Sequence, residues 1–387
     1  MWFEFKRQRR DWSSSLIDVL RGFINRSSGM NPLTLLLSAV LSVSTPTKLA
    51  QQILSNDVTG GTNQLGAHAR GDWPIDASFS PYAGGHDAPE LVFPGGLSRS
   101  VPARRIHSHN DYWRDTPLYS ALAHGASSVE ADVWLNPKDS KLYVGHSVSS
   151  LTRARTFDRL YVSQLVKVLS AANPHDKETV FFNETDYFSP DNEREIRKPW
   201  VPYWQSDSDT IQLLVDLKTR GDETYQAVSR ELEPLRSRGW LTTRKGKDLV
   251  RGPVTVILTG NGANLDVRTK VASLDKIDMF IDAPLLSLDD VWTGDDGKSY
   301  TWDPRFAPLA STGYAMATSW KGIFAITRPD ETKLKVILEK AQKRGFETRL
   351  WSSPRWPIFA RDRVWRTLLD LGVDWLDADD LAAAAAL

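Results

Sequence analysis

The chain has 387 residues, 41% hydrophobic and 25% charged, with a formal net charge of zero. That length suits one large domain with appendages or two ordinary ones. The neutral balance excludes a broad electrostatic grip on nucleic acid or an anionic membrane. Without cysteine there is no disulfide, thiolate metal site or cysteine nucleophile, so any metal must be held by oxygen or imidazole. The 15 tryptophans, in runs such as Val133-Trp134-Leu135 and Arg349-Leu350-Trp351, read as core packing.

In chain order, Lys6, Arg7, Arg9, Arg10, Arg21 and Arg26 precede an apolar stretch from Leu33 to Val43. Its eleven residues fall short of the roughly 20 that a membrane span needs. A basic flank, a short apolar run and the small residues Ser42-Val43-Ser44 predict a leader over 1–44: a signal peptide, anchor or targeting segment. Entry to the secretory pathway or export is the expected location. A mitochondrial presequence is the alternative, against which Glu4, Asp11 and Asp18 weigh. The apolar segment is the part expected to touch a membrane. Residues 45–101, with Gly60-Gly61, Gly84-Gly85, Gly95-Gly96 and several prolines, read as an irregular arm or linker.

From residue 102 to 381 short β-rich runs alternate with helical ones. Strands are predicted over Arg104–Ser108, Ser127–Val133, Leu142–Gly145, Ile211–Leu217, Val254–Thr259, Met279–Ile281, Phe346–Trp351 and Trp375–Leu376. Leu160–Leu169, Tyr225–Leu235 and Glu331–Ala341 carry apolar residues at helical spacing, and Gly345 stands where a C-cap belongs. Eight such units predict an α/β protein with a closed (β/α)₈ TIM barrel. A doubly wound sheet is the alternative, but no glycine-rich phosphate loop follows the first strand. Residues 183–208 read as an inserted loop.

Four local signals sit at the ends of consecutive predicted strands: His107-Ser108-His109, Glu130-Ala131-Asp132, Gly145-His146 and Asp216-Leu217-Lys218. Residues two apart in a strand share a face, so Glu130 with Asp132, and Asp216 with Lys218, point together. In a barrel that face is the interior, and its C-terminal mouth is where active sites form. Three carboxylates gathered there repel one another unless a hard cation joins them, which predicts Mg²⁺ first and Ca²⁺ as the alternative. Taken singly, each signal has a plainer reading: a solvated pair, a core imidazole, an ion pair along one strand. Their joint placement favours a single site. A glycosidase reading of Glu130 and Asp132 fails, because neighbours on one strand face do not flank a bond from both sides.

The run His109-Asn110-Asp111-Tyr112-Trp113-Arg114, then Ser128-Val129-Glu130-Ala131-Asp132-Val133-Trp134, Val144-Gly145-His146 and Leu213–Thr219 resemble the fungal altered inheritance of mitochondria protein 6 family, over roughly 104–381. That family lies in the phospholipase-C-like phosphodiesterase superfamily, with glycerophosphodiester phosphodiesterases and sphingomyelinase D enzymes. The resemblance implies a TIM barrel and cleavage of a phospholipid or glycerophosphodiester-type substrate. His109 and His146 would be the catalytic pair, with His107 as rival to His109. Glu130, Asp132 and Asp216 would hold the metal. Asn110, Lys218 and Trp351 would meet the substrate. Asn110-Asp111 replaces the Arg-Gly of glycerophosphodiesterases, which weakens the transfer of their substrate preference to this chain. A barrel that has lost turnover and binds lipid head groups or a protein is the other functional expectation.

Overall fold

The structure, a computed structural model, describes residues 101–172, 210–294 and 296–387. The strands in chain order are β1 (Arg104–Ser108), β2 (Ala126–Leu135), β3 (Leu142–Val144), β4 (Ile211–Leu217), β5 (Thr243–Lys245), β6 (Asp248–Val250) and β7 (Val254–Gly260). They continue as β8 (Lys276–Ile277), β9 (Met279–Pro284), β10 (Val291–Thr293), β11 (Ser299–Thr301), β12 (Leu309–Gly313), β13 (Glu347–Trp351) and β14 (Leu376–Ala378). Eight of them pair in the order β13-β12-β9-β7-β4-β2-β1-β14, every pair parallel. The ends meet through a bridge between Arg349 and Trp375, with the Trp375 amide donating to the Thr348 carbonyl at 3.0 Å. The predicted eight-stranded α/β barrel is therefore the fold.

The helices are α1 (Tyr119–Ala123), α2 (Ser163–Ala172), α3 (Gly221–Glu231), α4 (Glu233–Arg236), α5 (Leu265–Ser273), α6 (Tyr314–Ala317), α7 (Arg328–Lys343), α8 (Ile358–Asp370) and α9 (Leu381–Ala385). Alternation along the strands sorts the two barrel faces. On β4, Ile211, Leu213, Val215 and Leu217 are buried on one face, while Gln212, Leu214 and Asp216 alternate with them on the other. Each Leu or Val so buried contributes about 1.5–3 kcal/mol. α7 shows why such segments are helical. The Thr327 side chain accepts from the Asp330 amide, Pro329 sits in the first turn, and Leu334, Leu338 and Ala341 form the buried stripe. Gly345 follows at φ +90°, a conformation that favours glycine at a helix end.

One strand prediction is corrected and one barrel strand was not predicted. The strand expected over Leu142–Gly145 is observed as Leu142–Val144 and is not a barrel strand. It folds back antiparallel on the end of β2, pairing Val133 with Val144, because the six residues from Asn136 to Lys141 make only a tight turn. The missing barrel strand is β12, Leu-Ala-Ser-Thr-Gly, which carries too few β-branched or aromatic residues to read as a strand. The count of eight was reached with one wrong member. The expected leader, the insertion over 183–208 and all but the last residue of the arm lie outside the described residues.

Candidate metal centre and active site

Strand register builds the acidic cluster. β2 and β4 pair with Asp132 beside Asp216, at the roughly 4.8 Å separation of neighbouring strands. Glu130 lies one inward position earlier on β2. One oxygen from each of Glu130, Asp132 and Asp216 lies within 4.8 Å of the others. Lys218 reaches over the pair, its Nζ 3.0 Å from Asp132 Oδ2 and 2.7 Å from Asp216 Oδ2.

This charge is poorly neutralised. Burial first, then the charges of Glu130 and Asp216, push the Asp132 carboxyl up to about 7 in spite of Lys218. Burial raises Asp216 as well, against the pull of Lys218. Burial acts the same way on Glu130, but the imidazoles of His107 and His109 and the guanidinium of Arg349 outweigh it and hold that carboxyl below the ordinary range. Asp132 Oδ1 is buried with no hydrogen-bond partner among the described residues. An orphaned carboxylate oxygen inside a converging all-oxygen donor set is what a hard divalent cation would satisfy, so these residues fit such an ion.

Gly260, at the end of β7, keeps the cluster open. It has φ +60°, and a Cβ there would stand 2.0 Å from Asp216 Oδ1. Gly260→Ala is expected to displace the Asp216 carboxylate and to destabilise the fold by about 1–3 kcal/mol. The rise in melting temperature on adding Mg²⁺ should shrink or vanish in this variant; an undiminished rise would contradict Asp216 as a ligand.

Two imidazoles flank the carboxylates. His109 follows β1, with Nδ1 2.8 Å from Asp379 Oδ1 and Nε2 4.0 Å from Glu130 Oε2. Burial disfavours its charge, but the hydrogen bond to Asp379 and the charges of Asp377 and Glu130 outweigh burial, and its pKa is raised. His146 follows β3, off the barrel. Its Nδ1 lies 3.4 Å from Asp132 Oδ2, its side chain is 55% exposed, and its ring stands 5.3 Å from that of Trp113. The rival, His107, is wholly buried beneath them. Its Nδ1 is 2.7 Å from Ser128 Oγ, its Nε2 has no hydrogen-bond partner among the described residues, and burial lowers its pKa.

Asn110 takes a left-handed conformation, φ 48°, that turns its backbone N–H onto Glu130 Oε2 at 2.7 Å. Trp351 stands at the end of β13 with its ring against Gly313. It makes no hydrogen bond or ring contact with the other seven predicted residues among the described ones. The remaining seven are joined through the carboxylates.

Five participants went unassigned at the sequence level. Tyr112 Oη lies 2.7 Å from Asp132 Oδ2 and 2.5 Å from Asn110 Oδ1. Burial and the charge of Asp132 raise its pKa, so it remains a donor. Arg349, buried in the barrel, pairs with Asp377 at 3.0 Å and lies 3.8 Å from Asp282. Asp379 braces His109 and is itself 2.7 Å from Arg355. The signal for Asp377 and Asp379 was present: two acids at alternate positions leaving a strand, as in Glu130-Ala131-Asp132. Tyr112 lay within the recognised motif without a role. Nothing local marked Arg349 or Asp282.

A family model described as an AIM6-like phosphodiesterase domain matches residues 96–282. The altered inheritance of mitochondria protein 6 homolog of Arthroderma benhamiae is 33% identical over 307 residues, 77% of this chain and 88% of that protein. The protein of the same name from Eremothecium gossypii is 31% identical over 302 residues, 75% of this chain and 71% of its own. Among solved structures, a glycerophosphodiester phosphodiesterase from Parabacteroides distasonis aligns with a TM-score of 0.39 at 14% identity, covering 74% of this chain and 97% of that one. The phosphatidylinositol-specific phospholipase C of Listeria monocytogenes aligns with a TM-score of 0.36 at 10% identity, covering 75% and 92%.

Proposed function

The chain belongs to the altered inheritance of mitochondria protein 6 family, and from the geometry of its site we propose that it is a metal-dependent phosphoric diester hydrolase or lyase acting on a phospholipid or glycerophosphodiester-type substrate. One observation carries this reading: three carboxylates from two adjacent strands converge within 4.8 Å, with one imidazole beside Glu130 and another beside Asp132. Glu130, Asp132 and Asp216 would hold the cation, Mg²⁺ before Ca²⁺. When bound, it would supply positive charge against a phosphate oxygen as a Lewis acid.

The chain's own groups do the rest. Asp379 at Nδ1 of His109 fixes the tautomer that leaves Nε2 free to take a proton from the attacking group, water or a neighbouring substrate hydroxyl. His146 donates to the leaving oxygen and is reloaded from solvent, since its side chain is half exposed. Lys218 adds positive charge where the phosphate's remaining charge would sit. Tyr112 and the Asn110 backbone hold Asp132 and Glu130 in place.

The mouth supports a lipid over a soluble diester. Trp113, Phe324, Trp356 and Phe359, on or beside the segments that follow β1, β12 and β13, are 56%, 80%, 81% and 55% exposed. The segment carrying Phe324 is tied to α8 by Arg363, which donates to the Gly322 and Ile323 carbonyls at 2.9 and 2.7 Å. Large exposed aromatics on or beside segments that leave the C-terminal ends of the strands, one of them with its ring near that of His146, suit contact with lipid. A secretory or extracellular location, with a mitochondrial one as alternative, belongs to the same proposal.

Lys218 favours a second reading. Its ammonium already bridges Asp132 and Asp216, and a built-in cation of this kind suits a barrel that binds head groups without turnover. Incubating the full chain with mixed phospholipid and glycerophosphodiester substrates separates the two. Release of choline, glycerol or inositol products is expected with Mg²⁺ and is lost with EDTA. Lipid binding without metal-dependent release would leave the silent barrel as the better description.

A further inference from the structure

We propose that the opposite, N-terminal end of the barrel holds a second binding site, for a small phosphate-bearing anion. A cavity of about 310 Å³ opens there among the first residues of the strands and the β5–β6 hairpin, large enough for a small organic molecule. Arg105, Arg244, Lys247, Arg251 and Arg305 line it, and among the described residues Glu347 is the one acid that does. Glu347 is already used: Oε1 takes Arg105 at 2.8 Å and Oε2 takes the Trp375 indole N–H at 2.7 Å. Arg305 is paired with Asp303 at 2.7 Å. Arg244, Lys247 and Arg251 have no ion-pair partner among the described residues, so the cavity carries surplus positive charge.

Arg244 shows that this surplus is held in a built site. Its side chain is 8% exposed, and two of its nitrogens donate to the Gly246 and Leu274 carbonyls at 2.9 and 2.8 Å. Its Nε is buried without an acceptor among the described residues. Burial, followed by the charge of Arg305, disfavours its protonated form, with Asp275 and Asp303 opposing more weakly. Two neighbouring guanidinium groups and an orphaned donor call for an anion with several oxygens. Hydroxyls supply further partners: Thr242 Oγ1 lies 2.7 Å from Thr255 Oγ1, which lies 2.9 Å from Thr210 Oγ1. Phe280 and Trp375 give the cavity apolar walls, which suit the carbon part of a phosphomonoester. The N-terminal face of such a barrel ordinarily serves stability, for which uncompensated cations are unfavourable.

The site is separate from the acidic centre. Gln212 lines the cavity and Asp216 the centre on the same strand, about 13 Å apart along it at 3.3 Å per residue. The test uses the full chain in EDTA, titrated calorimetrically with inorganic phosphate, with glycerol 3-phosphate and with phosphatidic-acid vesicles. Lys247→Gln/Arg251→Gln removes two exposed cations, so the fold should survive and binding should weaken about tenfold or more. Lys335→Gln, which removes an exposed cation on α7 outside both sites, should bind as the parent does. Free-anion binding weakened by the double variant supports a soluble ligand, and vesicle binding alone, weakened the same way, supports a head group. Absence of binding to all three at millimolar concentration, or equal binding by the double variant, overturns the proposal.

Discussion

His109→Ala is expected to lower the proposed phosphodiester turnover by about 10²–10⁴-fold, the usual worth of one positioned proton transfer, and to leave the protein folded. The imidazole touches the carboxylates from the rim, and its partner Asp379 keeps a second ion pair with Arg355 at 2.7 Å when His109 is gone. Turnover measured beside the near-ultraviolet circular dichroism of the same preparation checks both halves. A variant that turns over at the parental rate removes His109 from the chemistry. Asp379→Asn gives the finer test. Asp379 is a principal cause of the raised His109 pKa, so its neutralisation lowers the pH at which His109 takes up a proton. If His109 is the base, the acid limb of the kcat/KM profile moves to lower pH. A limb that stays in place would mean that another group sets it.

Arg349→Met should produce the largest loss of stability, about 3–5 kcal/mol, because it strips the counter-charge from a buried acidic layer. Arg349 is 3% exposed, bonded to Asp377 at 3.0 Å and to Ser311 at 3.2 Å. Burial opposes its charge, but Asp377, Asp282, Glu130 and Asp216 outweigh burial and raise its pKa. Even with Arg349 present, burial pushes the Asp282 carboxyl up to about 6. Without it, Asp282 must rise further. A carboxyl whose pKa is higher folded than unfolded binds more protons when folded, so its effect on stability worsens as pH rises through the folded value. The gap between parent and variant in urea unfolding is therefore expected to be wide near pH 8 and to narrow towards about pH 5. An unchanged midpoint at the higher pH would show that the carboxylates do not depend on this guanidinium.

The recognised motif residues lie close together in sequence and lead into one another. His109 to Tyr112 form one turn leaving β1, and Glu130 and Asp132 alternate on one strand, so local spacing made each group legible, while the pairing of β2 with β1 and β4 brought the groups together. Arg349, Asp282 and Asp377 stand on three different strands, and each looks like an ordinary charged residue in its own segment. His146 shows the limit from the other side. It was expected to end a barrel strand, yet it reaches Asp132 from a hairpin excursion, since β3 folds back on β2.

Composition and local pattern were enough for the alternation of strands and helices, the inward face of β2 and β4, the donor types available to a cation and the family. These follow from periodicities of two and 3.6 residues and from short-range motifs, which act within a few residues of one another. The pairing of distant segments chose which eight strands close the barrel, set Asp379 against His109 and balanced the buried acids with Arg349. It also placed surplus cations in a cavity at the far end. Closure and charge balance depend on register between segments up to about 270 residues apart, and no local pattern encodes that register.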